Sequence, residues 1–164
     1  MQSLDQHRPA TRNATAFAYL MGLYGDNYWR LARLFSPHLL APGAYESHVP
    51  TDQPLCLRVH EQQPFTTLLS LDYSFNDEGV DARLDPGAEL RFYRDARVAE
   101  MVACGNQRRI EDVLGRVAVP KAVFGYRLRV NAFLGKWLEY IEERGHSRFT
   151  LRPVVTQEID ERRK

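Results

Sequence analysis

Phe17, Leu20, Met21, Tyr24, Tyr28, Leu31, Leu34 and Phe35 recur at i+3, i+4 and i+7, the spacing of one helix face. The stripe predicts a helix from Thr15 that stops at Pro37. Gly25-Asp26-Asn27 interrupts it, and glycine costs about 1 kcal/mol relative to alanine in a helix interior. The stripe keeps its phase across the interruption, so a single helix with room for a kink is expected. Residues 1–14 show no period and read as a loose arm.

The period then changes to two. Leu55, Leu57 and Val59 alternate with Cys56, Arg58 and His60; Thr67, Leu69, Leu71, Tyr73 and Phe75 alternate with Leu68, Ser70, Asp72 and Ser74. Glu61-Gln62-Gln63-Pro64 joins them as a hairpin turn, and residues 44–49 read as a short edge strand. Asn76 to Gly87 reads as an exposed loop. A second hairpin follows, with Leu90 and Phe92 in one strand, Arg94-Asp95-Ala96 as turn and Arg97 to Cys104 as return. Glu100 shares a face with Val98 and Val102. Ile110 to Val119 reads as a short helix or an irregular strand. Val130, Phe133, Leu134, Trp137, Leu138 and Ile141 then form a second helical stripe from about Arg129 to Arg144, with Lys136, Glu139, Glu142 and Glu143 opposite and Gly145 as its cap.

These elements predict an α+β fold. An antiparallel meander of four to five strands carries an N-terminal and a C-terminal helix, both packed on one face. The domain spans residues 15–146, and residues 147–164 form a partly disordered tail. Alternation leaves the second sheet face polar, open to a protein partner, a polar small ligand or a second copy in a homodimer.

The chain has 164 residues, 44% of them hydrophobic and 26% charged, which suits one globular domain and excludes collagen-like and low-complexity chains. Cys56 and Cys104 lie far apart without a Cys or His at ligand spacing, so no zinc and two reduced, buried thiols are expected. The longest apolar run, Ala16 to Tyr24, is too short to span a membrane and lacks a signal-cleavage site; it continues as helix, which places the protein in the cytoplasm. The net charge of +1 hides an uneven distribution: residues 1–82 carry five Arg against nine acids, and residues 83–164 carry seventeen Lys or Arg against twelve.

No phosphate loop, GxSxG elbow or HExxH is present, and no two of His7, His38, His48, His60 and His146 sit at i+3 or i+4. No cofactor, no metal and no catalytic residue is assigned. Adjacent hairpins would bring Glu61, Thr66, Thr67, Arg94, Asp95, Arg97 and Glu100 together at one edge. Carboxylates beside arginines suit a polar ligand, or acid and base work if burial raises a carboxyl pKa. Arg91, Arg94, Arg97, Arg108 and Arg109 around Phe92 and Tyr93 have the composition of a nucleic-acid platform. The near-neutral charge, and an alternation that turns Phe92 inward, argue against nucleic acid.

Five segments in order carry a family resemblance. They are Asn27-Tyr28-x-x-Leu31-x-Arg33-Leu34; Tyr45-Glu46-Ser47; Glu61-x-x-Pro64-Phe65-Thr66-Thr67-Leu68-Leu69; Leu90 through Glu100; and Asn131-x-Phe133-Leu134-x-x-Trp137-Leu138 with Gly145. Over roughly residues 15–146 the chain resembles the YqiB-like family of bacterial proteins. It departs from that pattern at Arg94, where His is frequent, at Phe65, where Tyr is frequent, and at Arg127 to Arg129, where an acidic-basic pair often opens the last helix. The resemblance implies a small cytoplasmic protein of unknown function. Genes of that family often lie beside those for an ADP-ribose pyrophosphatase and a cyclic-nucleotide phosphodiesterase, which by association implies a link to nucleotides. The expected function is non-enzymatic binding or regulation, the alternative is a hydrolase or transferase on a nucleotide-like substrate, and RNA binding stands third.

Overall fold

The computed structural model describes residues 8–73, 87–104 and 120–155, with side chains of the first helix described from Thr15 onward. Phe75, nearly all of the loop after it and Ile110 to Val119 lie outside the described residues. The elements are α1 (Arg8–Phe35), β1 (Gly43–Ser47), β2 (Leu55–Gln62), β3 (Thr66–Tyr73), β4 (Ala88–Tyr93), β5 (Val98–Cys104), α2 (Pro120–Glu143) and β6 (Leu151–Pro153), with a 3-10 turn at Pro37–Leu39. They build an α+β fold: one open antiparallel sheet of six strands, in the order β5-β4-β3-β2-β1-β6, and two helices.

The meander is as expected, but its extent is not. Leu151-Arg152-Pro153 pairs with Ser47-Glu46-Tyr45, so residues read as tail close the sheet and β1 moves from the edge to the interior. Three residues are too few to show a period, and Pro153 suits an outer strand because its outward side needs no N–H. Both helices also start earlier than their stripes. The backbone of α1 is helical from Arg8, where Pro9 falls in a first turn whose N–H groups have no acceptor anyway. Similarly, α2 starts at Pro120 rather than Arg129, with the ring of Pro120 pre-set for a first helical residue. At its end Gly145 takes φ 94, the left-handed value that favours glycine.

One sheet face supplies Leu55, Leu57, Val59, Leu69, Leu71, Leu90, Phe92 and Met101 to a core shared with Leu31, Phe35, Leu134, Leu138 and Ile141 of the helices. Each such side chain stabilises by about 1.5–3 kcal/mol when fully buried. Tyr28 stacks on Phe92 with centroids 4.5 Å apart, and His38 lies on the same ring at 5.8 Å. The buried faces are narrower than the stripes: Phe17, Met21 and Phe133 are exposed.

The break at Asn27 serves packing. Asn27 is fully buried and donates Nδ2 to the Asn131 carbonyl (3.0 Å), opposite Gly135, where a Cβ would stand 3.1 Å from its Oδ1. Asn131 in turn accepts the backbone N–H of Met101 on β5 (2.9 Å). Further along, Arg30 meets Glu139 and Arg33 meets Glu142. The contacts advance in step, so the two helices run side by side in the same direction.

Candidate functional site

The opposite face of the sheet is built by register. Arg152, Glu46, Cys56 and Asp72 form one row across β6, β1, β2 and β3. Ala44, Arg58, Ser70 and Glu89 form the next, from β1 to β4. A bulge at His60 then puts two consecutive polar residues, His60 and Glu61, on this side and returns Gln62 to the core side. A third row follows: Glu61, Leu68, Arg91 and Glu100.

Around the first two rows lies a depression of about 320 Å³ lined by Glu46, Cys56, Arg58, Asp72, Tyr73 and Val154 among others. Glu46 and Asp72 flank Cys56 from the two neighbouring strands, which sets them roughly 10 Å apart at the backbone. Glu46 accepts from Cys56 Sγ (3.8 Å) through one oxygen and faces His48 Nε2 (3.0 Å) with the other. Arg58 is exposed two residues along β2. The arrangement places two carboxylates and one guanidinium around the depression.

The sequence-derived candidates divide. Glu61 and Glu100 do fall in one row, with Arg91 between them, and Tyr93 donates its hydroxyl to Glu100 (3.2 Å). Burial, with the Glu100 charge adding to it, keeps the Tyr93 phenol above its ordinary pKa, while Arg91 pulls it back. Thr66 sits opposite Tyr93 in the row beyond. Thr67 points the other way: it is 2% exposed and donates to Gln62 Oε1 (2.7 Å). Gln62 thereby aims Nε2 at the carbonyls of Pro37 (2.7 Å) and Leu40 (2.8 Å) and fastens the 3-10 turn. Thr67 is thus a core residue, because period two sends alternate residues of β3 inward. Arg94 and Asp95 are exposed in the β4–β5 turn, and Arg94 donates to the Pro64 carbonyl. Arg97, at φ 54, is drawn aside to Trp29, its guanidinium 5.9 Å from the ring centroid.

A buried polar chain went unread in the sequence. Tyr73 donates to Asp52 Oδ2 (2.9 Å), which also receives His146 Nε2 (3.2 Å); His146 Nδ1 lies 2.8 Å from Ser47 Oγ, and Ser47 Oγ lies 2.5 Å from Thr150 Oγ1. The carboxylate can only accept, so Nε2 carries the imidazole proton and Nδ1 accepts the hydrogen bond donated by the Ser47 hydroxyl. Burial pushes the His146 imidazole below the ordinary histidine range, and Asp52 opposes that shift. Burial, and then the bond to Asp52, hold the Tyr73 phenol far above its usual value. A hydroxyl, an imidazole and a carboxylate in line have the composition of a hydrolytic triad. Ser47 and His146 are nevertheless closed from solvent, and the chain ties β1, β3, the end of α2 and the start of β6 together. Its members are spread over more than a hundred positions, so no local motif announces it.

Among the described residues no group of three or more His, Cys, Asp or Glu stands ready for a metal ion, and no helix is long and apolar enough to cross a membrane. A family model described as a protein of unknown function, DUF1249, matches residues 30–147. No curated protein and no solved structure matches the chain.

Proposed function

Since the chain belongs to DUF1249, a family of unknown function, we propose from its geometry that it is a non-enzymatic binding protein. Its ligand is a small polar molecule that carries both a cationic and an anionic group. One observation carries this reading: Glu46 and Asp72 stand on either side of Cys56, with Arg58 beside them, around a depression of about 320 Å³. A cation is drawn to the carboxylates and an anion to the guanidinium, which binds carboxylate or phosphate through a planar fork. Glu61, Arg91 and Glu100 extend the same charge pattern toward the hairpin turns, with Arg94 and Asp95 at its rim. The core shared with the two helices lies on the other face, and among the described residues no helix packs on this one.

The closed position of Ser47 and His146 supports binding over turnover. We further read the family as the YqiB-like one and the protein as a single-domain cytoplasmic protein of bacteria; two half-buried cysteines, Cys56 and Cys104, that form no disulfide suit a reducing compartment. The test is thermal shift against a panel of free amino acids and dipeptides. A member of the panel raises the melting temperature of the parent. It raises that of Arg58→Gln or Glu46→Gln less, although both variants melt like the parent without ligand. No shift with any member, or equal shifts in parent and variants, removes the site.

A further inference from the structure

The polar side of α2 carries three acids, Glu139, Glu142 and Glu143, and the fold consumes two of them. Glu139 is held by Arg30 of α1 (2.7 Å) and by Lys136 (3.1 Å), and Glu142 by Arg33 (2.9 Å). The Lys136 bond and then Arg30 hold the Glu139 carboxyl below its ordinary pKa. What remains outward is a different surface. Arg129, Phe133, Lys136, Tyr140 and Arg144 follow at steps of four, three, four and four, one face of the helix, and all five are exposed. Phe133 is 44% and Tyr140 39% exposed.

The rings are fixed in place. Phe133 stacks on Trp137, with centroids 6.0 Å apart, and the Arg144 guanidinium lies 4.8 Å over the Tyr140 ring. Past the helix end the pattern repeats: Arg148 lies 4.8 Å over Phe149, which is 72% exposed. Against Arg129, Lys136, Arg144 and Arg148 stand Glu143 and, bonded to Lys136, Glu139.

We propose that this face of α2, with Arg148 and Phe149, binds single-stranded nucleic acid. Cations about two helical turns apart meet successive stretches of a phosphate backbone, and exposed rings stack on unpaired bases, a contact every base can make. An acidic peptide would satisfy the cations but leave Phe133, Tyr140 and Phe149 without a stacking partner, so the aromatic half of the surface favours nucleic acid. The site lies apart from the sheet depression and does not depend on it. The overall charge of +1 conceals it, because acids elsewhere in the chain cancel a cationic face that the interhelical pairs have cleared.

Fluorescence anisotropy of a labelled 20-nucleotide oligouridine against the full chain tests it. Four cation contacts give a log–log salt slope of about −3, and Arg144→Gln with Arg148→Gln halves it. Tyr140→Ala weakens binding about tenfold or more, while Tyr140→Phe, which keeps the ring, binds like the parent. Circular dichroism checks that these surface variants fold; if Tyr140→Ala does not, Phe149→Ala takes its place with the same expected loss. The proposal falls if oligouridine does not bind, if the ring and cation variants bind like the parent, or if polyglutamate competes as well as the oligonucleotide.

Discussion

His146 shows how one residue ties burial to pH. Its imidazole is closed from solvent and its two nitrogens are both used, one toward Asp52 and one toward Ser47. Burial disfavours the charged form and outweighs Asp52, so the folded-state pKa lies below the unfolded value near 6.5. The unfolded chain therefore takes up a proton first as pH falls. Stability from this group is complete above about pH 6.5 and is lost progressively below it, down to the depressed folded value. His38 shifts the same way, mainly through burial and then through Arg94, and adds to the slope. Thermal melts of the parent from pH 8 to pH 5 should show a falling melting temperature in the lower half of that range. His146→Asn should be less stable at pH 8 and flatter below pH 6.5, with the His38 part retained. An unchanged slope in that variant would mean that His146 does not set the pH response. None of this was legible beforehand: a histidine just after a helix cap looks solvated until β6 is seen to close over it.

At the scale of elements, the crossing of α1 and α2 is set by what is missing from Gly135. A methyl there would stand 3.1 Å from Asn27 Oδ1, so the carboxamide would have to give by a few tenths of an ångström. Gly135→Ala gains helix propensity of about 1 kcal/mol and loses close packing. We expect the loss to win in the parent and the gain to win once Asn27→Ala removes the obstacle. Urea unfolding of the two single variants and the double should thus be non-additive, with the double more stable than the singles predict. Additive values would separate the two sites. The weak spot at Gly25-Asp26-Asn27 was visible in the sequence; its purpose was not, because a buried asparagine has meaning only beside the helix it meets. The same limit explains the rest of the fold. The stripes and alternations of α1, β2, β3, β4 and β5 were legible because each buries one face of one element. The added turns of α2 were missed because Gly125, Arg127 and Arg129 interrupt its apolar spacing, and β6 because three residues have no period. Of the candidate site, the alternation in β2 showed that Cys56, Arg58 and His60 share a side, but which carboxylates stand beside them depends on register across strands far apart in sequence.

For the whole molecule, the question is what keeps a six-stranded open sheet from adding a seventh strand. An unpaired edge invites pairing with another chain. The β5 edge is met by α2, whose Asn131 Oδ1 accepts the Met101 N–H. The other edge would be β1, a five-residue strand between Gly43 and Ser47, were it not covered by β6. β6 is a short outer strand that ends in Pro153, a poor template for further growth. It stays in place through Leu151, buried in the core, and through Thr150, bonded to Ser47 at the edge it guards. Arg152 pairs with Glu46 in the middle of this ladder, so Arg152→Pro removes a donor there while leaving Leu151 and Thr150 intact. The variant should keep its core and expose β1. Hydrogen exchange should then speed up at Tyr45, Glu46 and Ser47 but not in β3 or β4, and light scattering should show concentration-dependent association that the parent lacks. Association without the local loss of protection would place the contact elsewhere, on the charged sheet face or the cationic face of α2. Loss of protection without association would mean that β6 fastens the sheet but does not defend it.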